Sequence, residues 1–186
     1  MMNHFDLLAP LYDRFIRRPK VRRLRHLLKL PTDGRMLDAG GGTGRVSSQL
    51  RHLVGQLVVG DFSRRMLRQA QLKGNLRPVQ MYVEVLPFPN ASFERILVVD
   101  ALHHFRDQRA AIRELLRVLK PGGRLVIEEQ DINRFPIKIV ALVERLIFMG
   151  SHFHSADEIA EMIRAHGLPA HILGDGHFLV WVVVDK

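Results

Sequence analysis

The 186-residue sequence predicts an α/β fold: a seven-stranded sheet, mostly parallel, with helices on both faces and an antiparallel last strand. Three observations carry that expectation. Short β-branched runs alternate with stretches of helical periodicity, the pattern of strand–helix–strand units. The first well-formed strand runs directly into "DAGGGTGR" (38–45), a glycine-rich turn ahead of a helical segment. The last two strand candidates are separated only by "GDGH" (174–177), which suits a hairpin and is too short for a crossover.

The elements follow in order. Pro19 falls in the first turn of a helix that runs to Leu30 and is stopped by Pro31. Strands are expected at "RMLDA" (35–39), "LVVGD" (57–61), "VQMYVE" (79–84), "RILVVD" (95–100), "RLVIEEQ" (124–130), "AHIL" (170–173) and "FLVWVVVD" (178–185). Helices are expected over 43–52, 63–72, 108–119 and 156–166. Ser155 with Glu158 forms a capping box that opens the last helix. "KPGG" (120–123) ends a helix and turns into the fifth strand. With no internal repeat or linker, residues 1–186 read as one domain, with N-terminal cap helices over 1–30 and an inserted segment over 131–154.

Composition narrows the chemistry. The sequence has no cysteine, which excludes disulfides, thiolate metal sites and cysteine nucleophiles. "MMNHFDLLAPLYDRF" carries acids early and lacks the apolar core of a secretory signal. The longest apolar run, "FLVWVVV" (178–184), is too short to span a bilayer, so a cytoplasmic location is expected. The net charge is +9, of which residues 1–30 contribute +6 through eight Arg or Lys against two Asp. An excess so concentrated points to a local electrostatic role.

The glycine-rich turn departs from a dinucleotide fingerprint. Glycines stand at 40, 42 and 44, and Arg45 occupies the third fingerprint position. Asp38 precedes the turn, where it would repel a pyrophosphate and suit a cationic ammonium group. Asp61 ends the second strand about twenty residues on, where an acid binds ribose hydroxyls. A ribose, a cationic amino acid and no phosphate together describe S-adenosylmethionine.

Several ordered segments then resemble the class I S-adenosylmethionine-dependent methyltransferases, in particular the type 11 small-molecule group that includes the ubiquinone/menaquinone methyltransferases. "FDLLAPLYDRF" is similar to the N-terminal box of that group, "LDAGGGTGR" to its motif I and "DFSRRML" to the segment after strand two. "LPFPNASFERILVVDALHHF" and "RVLKPGGRLVI" resemble the segments leading into and out of strands four and five. The resemblance implies a Rossmann-like fold, S-adenosylmethionine as cofactor and S-adenosylhomocysteine as product. Position by position it implies that Tyr12 closes over the cofactor and that Asp38 lies under its amino group. Gly40 and Gly42 then give backbone contact, Asp61 takes the ribose, Phe62 flanks the adenine, and Val83 and Glu84 face the adenine edge. Asp100 sits at the cofactor end of strand four. Tyr82 stands where the group often has an Asp that binds the adenine amino group.

Methyl transfer from a sulfonium asks mainly for alignment and desolvation, and for a general base only when the nucleophile must lose a proton. The catalytic candidates are Asp100, His103 and His104, at the carboxyl end of strand four. Of two adjacent histidines, one can face a site while the other packs away. Glu129, His152 and His154 are further titratable candidates. His152 and His154 lack a third ligand, so no metal is expected.

The acceptor is expected to be a small molecule of lipophilic character. "RFPIKIVALVERLIFMG" (134–150) is apolar over a wide arc, with a basic stripe of Arg134, Lys138 and Arg145. It suits either a lid over an apolar acceptor or a buried core helix. "PKVRRLRHLLKL" (19–30) places Val21, Leu24, Leu27 and Leu28 on one helical face amid basic residues. It suits either core packing or contact with an anionic membrane surface or nucleic acid. The lack of a "[DNS]-PP-[YFW]" motif after strand four disfavours nucleic acid. The rival readings are a nucleic-acid methyltransferase and a non-catalytic S-adenosylmethionine-binding protein.

Overall fold

The computed structural model describes residues 19–134 and 152–186. Tyr12 and most of the 1–30 and 134–150 segments discussed above lie outside the described residues. Seven strands form one sheet in the order β3-β2-β1-β4-β5-β7-β6. They are β1 (Thr32–Ala39), β2 (Val54–Asp61), β3 (Arg77–Gln80), β4 (Phe93–Val99), β5 (Leu119–Gln130), β6 (Ala170–Gly174) and β7 (Leu179–Asp185). β1 to β5 run parallel, whereas β7 is antiparallel to both β5 and β6. The expected mostly parallel sheet with an antiparallel last strand is what forms.

Period-two alternation places the core on both faces. On β1 and β4, Leu37, Ala39, Ile96 and Val98 face one core with helices α4 (Gln108–Val118) and α5 (Ala156–Arg164). Met36, Leu97 and Val99 face the other, with α1 (Val21–Leu27), α2 (Ser47–Leu50) and α3 (Arg64–Leu72). Leu24, Leu27 and Leu28 are buried there, so the apolar face of α1 packs on the sheet. The basic side of α1 also takes part: Lys20 Nζ donates to Asp175 at 2.7 Å, and the Arg23 guanidinium lies 5.4 Å from the ring centre of buried Trp181.

Four local expectations need correction. The N-terminal helix begins at Val21, with Lys20 as its N-cap and Pro19 just outside, and it ends at Leu27. After the glycine turn the helix is only Ser47–Leu50 followed by a 3₁₀ turn, Arg51–Leu53. β3 stops at Gln80, since Met81 N–H already bonds back to the Asp61 carbonyl at the end of β2. "KPGG" lies inside β5 as a bulge: the register moves from Phe93↔Leu119 to Arg95↔Arg124, five residues facing two.

The last helix shows both hydrogen bonds of the capping box. Glu158 N–H donates to the Ser155 hydroxyl at 3.3 Å, and Ser155 N–H donates to the Glu158 carboxylate at 2.7 Å. Ser155→Ala is expected to cost about 1 kcal/mol in denaturant unfolding, with an unchanged m-value.

Candidate active site

Asp38, Gly40, Gly42, Asp61, Phe62, Asp100 and His104 gather at the carboxyl ends of β1, β2 and β4, on both sides of the point where the chain order reverses, and Val83 and Glu84 join them from the segment after β3. A cleft of about 410 Å³ opens there. Its walls include the 38–46 turn, Asp61, Phe62, Tyr82, Val83, Glu84, Asp100, His104, Arg106 and His152.

The glycine turn is shaped by backbone constraints. Gly40 and Gly41 N–H both donate to the Gly60 carbonyl, at 2.8 and 3.1 Å, which ties the turn to the end of β2. Gly40 has φ +74°, and a Cβ there would come within 2.6 Å of the Ala101 methyl. Gly42 has φ +55° with nothing nearer than the Asp61 carboxylate at 3.9 Å, so its bare Cα borders open cleft. Gly40 therefore lets the turn pack against Ala101 and Phe105, and Gly42 permits close approach of a ligand to the backbone.

The two acids beside the turn differ in chemistry. Asp38 is 2% exposed, and the Ser47 hydroxyl donates to its Oδ2 at 2.6 Å. Burial pushes its carboxyl up to about 6, only partly offset by Ser47 and by the Arg45 charge, with Asp61 adding to the rise. A carboxylate in so dry a place, only partly compensated by these neighbours, is suited to a cationic partner. Asp61 is also buried, but its Oδ2 accepts Gly42 N–H at 2.9 Å and its Oδ1 accepts Ser63 N–H at 2.8 Å. The Asp61 carboxylate also forms part of the cleft wall.

The two histidines after β4 part ways. They sit in a 3₁₀ turn, Leu102–His104. His104 borders the cleft. His103 is 4% exposed, turns away from the cleft and donates from Nδ1 to Glu129 Oε2 at 2.6 Å. Its ring stacks on Phe153, centroids 4.2 Å apart. Glu129 Oε1 accepts the N–H groups of Ala101 and Leu102, at 3.2 and 2.7 Å. The buried glutamate of β5 thus fixes the turn that presents His104. Of the two candidate histidines, His104 lines the cleft and His103 does not, their rings lying 4.0 Å apart.

Asp100 borders the cleft in a left-handed conformation, φ +51°. Burial, and then the neighbouring Glu129 charge, raises its pKa, while His103 and Arg45 act against the rise. His152 reaches the same cleft from the far end of the chain. Its N–H donates to the His103 carbonyl at 2.8 Å and its carbonyl accepts from Gln108 Nε2 at 2.6 Å. Sequence reading named His152 only among titratable candidates, because nothing local announces bonds that span 44 residues or more. Glu84 also borders the cleft, and its Oε1 accepts Arg106 N–H at 2.8 Å. Among the described residues no three metal-ligating side chains come together.

Strand order and cleft position define a Rossmann-like ligand-binding domain of the methyltransferase type. The comparisons with known proteins agree. Residues 37–127 match the family model described as "Methyltransferase domain". A ubiquinone/menaquinone biosynthesis C-methyltransferase of Pseudomonas fluorescens is 31% identical over 182 residues, spanning 87% of this chain and 70% of that protein. The corresponding protein of Shewanella sediminis is 36% identical over 152 residues, and the match spans 71% of this chain but 60% of that relative's length. The crystal structure of an S-adenosylmethionine-dependent methyltransferase from Thermotoga maritima superposes with a TM-score of 0.78 at 23% identity, covering 98% of each chain. The chain belongs to the class I S-adenosylmethionine-dependent methyltransferases, type 11 group.

Proposed function

We propose that this protein binds S-adenosylmethionine in the 410 Å³ cleft and transfers its methyl group to a small acceptor of apolar character. The observation that carries the reading is the pairing of buried, proton-hungry Asp38 with a ribose-compatible Asp61 around a glycine turn open to ligand. The residues fit the cofactor: Asp38 for its ammonium group, Gly42 for close backbone approach, and Asp61 for the ribose hydroxyls. Phe62, Val83 and Glu84 line the end of the cleft suited to the base. When bound, the sulfonium supplies an activated methyl group and leaves as a neutral thioether.

The chain's own part is to bind, align and keep water out. His104 and Asp100 border the cleft at the end of β4, where an acceptor would meet the methyl group. His104 is the proton acceptor of this reading if the acceptor must lose a proton, and its protonation then slows the reaction as pH falls. His103 is a positioning residue, acting through the turn it anchors. Calorimetry with S-adenosylhomocysteine and with NAD tests cofactor choice; equal or tighter NAD binding would overturn it. Asp61→Ala is expected to weaken S-adenosylhomocysteine binding by about 1.5–3 kcal/mol, through lost charged hydrogen bonds to the ribose.

The apolar character of the acceptor rests on the 134–150 sequence, as does its role as a lid within an inserted 131–154 segment. Quinone-related methyltransferases among the relatives support the same class of acceptor. A peripheral contact with anionic membrane, and with it a cytoplasmic face, rests on the +6 charge of residues 1–30. Among the described residues no helix is long and apolar enough to cross a membrane. Cosedimentation with anionic vesicles but not neutral ones is expected, lost in high salt.

A further inference from the structure

We infer that the sheet face covered by α1, α2 and α3 is the surface that docks on an anionic lipid bilayer. The inference rests on the membrane contact proposed above and assigns that contact to one face of the fold. α1, α2 with its 3₁₀ turn, and α3 together hold seven arginines and no Asp or Glu. The helices of the opposite face, α4 and α5, hold four arginines against four acids. The excess of cations is therefore a property of one face. Five of the six net charges of residues 1–30 fall within 19–30. Two of those five cations are engaged inside the fold, Lys20 on Asp175 and Arg23 over Trp181. Arg22 and Arg25 of α1 are exposed, as are Arg64 and Arg68 of α3.

Local structure does not ask for these residues. The positive end of a helix macrodipole disfavours cations. Yet α1 has Arg22 and Arg23 in its first turn and α3 opens on Arg64 and Arg65, with no acid in either first turn. Departures from local preference are expected at functional surfaces. Arginine suits phosphate, because its planar fork donates two hydrogen bonds at once. The helices lie side by side on one sheet. α3 packs on β2 and β3, and the carbonyls of Leu27 and Leu28 at the end of α1 accept from Arg124 of β5 and Arg95 of β4. α1 and α3 thus stand about three strand spacings apart, roughly 14 Å, and their cations spread over a broad face. Leu72, the last residue of α3, is 80% exposed on the same helix, and a large apolar side chain among cations suits the interfacial layer of a bilayer. None of these helices carries Phe, Tyr or Trp, so they offer no such ring on which a nucleic-acid base could stack. α3 starts two residues after Phe62, so docking on this face brings one rim of the cleft to the lipid.

Cosedimentation at physiological ionic strength tests this, with vesicles of mixed phosphatidylglycerol and phosphatidylcholine, vesicles of phosphatidylcholine alone, and a duplex RNA oligomer as competitor. Each cation at a bilayer contact is worth about fivefold in partition. Arg22→Gln with Arg25→Gln, and Arg64→Gln with Arg68→Gln, are therefore each expected to weaken binding to the mixed vesicles by about 25-fold. Arg109→Gln with Arg113→Gln removes the same charge from exposed positions of α4 and is expected to change binding by less than about threefold. Equal losses in all three double variants would show net charge at work and overturn the inference. Wild-type binding in both docking-face variants, with unchanged melting curves, also overturns it, as does displacement of the protein from the vesicles by the RNA. Failure of the wild-type protein to bind the mixed vesicles at all would instead overturn the membrane reading itself.

Discussion

Asp38→Asn is expected to abolish measurable S-adenosylhomocysteine binding and, at the same time, to make the unliganded protein more stable above neutral pH. The two effects share one cause. Asp38 is 2% exposed, and its carboxyl is raised from 3.8 to about 6 chiefly by burial. A group whose folded pKa lies above its unfolded value binds its proton more tightly when folded. Stability is therefore undiminished below about pH 4, falls as pH rises through the interval to about 6, and stays reduced above it. The shift corresponds to about 3 kcal/mol. Asparagine carries no charge, so the stability of Asp38→Asn relative to wild type should rise by about 2–3 kcal/mol between pH 4 and pH 8 in urea unfolding. Taking the difference between the two pH values cancels the pH-independent cost of the amide against Ser47. In the wild-type protein, affinity for S-adenosylhomocysteine should be flat above pH 7 and weaken by up to tenfold per unit below about 6, as the proton competes with the ligand's ammonium group. A pH-independent affinity over that range would remove Asp38 from the ammonium site.

Glu129→Ala is expected to be the most damaging single change to the site outside the ligand contacts. The carboxylate accepts three hydrogen bonds in a buried position, from Ala101 N–H, Leu102 N–H and His103 Nδ1. Its removal strands all three donors away from water, at about 1–3 kcal/mol each before relaxation. A loss of about 3–5 kcal/mol in unfolding free energy is expected, with a drop in affinity for S-adenosylhomocysteine because the turn after β4 forms one wall of the cleft. Glu129→Gln keeps an acceptor oxygen and should recover part of both losses. If Glu129→Ala melted within a degree or two of wild type, the anchoring role assigned to this residue would be wrong.

Both residues show why the site was only partly legible in the sequence. Asp38 and Asp61 announce themselves, because each follows an apolar run and brackets the glycine turn at a spacing that fixes where they point. The alternation of strands and helices likewise made the mostly parallel sheet legible, but not its order, in which β4 lies beside β1 and not β3. Glu129 gives no such signal. It reads as the polar end of a strand, and its partners lie 26 to 28 residues away on a turn whose shape is set by packing. The same holds for the choice between His103 and His104, which depends on which one meets Glu129. The bulge at "KPGG" was hidden for a related reason. Glycine and proline mark a break in regular structure, but they do not say whether the break ends an element or bends it. Here the Gly122 N–H and the Gly123 carbonyl both bond to Lys186, 63 or more residues later, and that long-range pairing keeps the segment in the sheet.

The position of β7 between β5 and β6 has a consequence for how the molecule is made. On synthesis the parallel strands emerge in sequence and can pair as they appear, but β6 emerges before β7 and has nothing to join until β7 is present. The sheet then closes by insertion of residues 179–185 against β5 along seven paired positions, from Arg124↔Asp185 to Gln130↔Leu179. Trp181, the only tryptophan of the sequence, sits within that pairing opposite Glu128, with its indole N–H on the Glu128 carboxylate at 2.6 Å. Its fluorescence therefore reports one event in refolding, the moment the sheet seals, and should lag behind the recovery of helical circular dichroism.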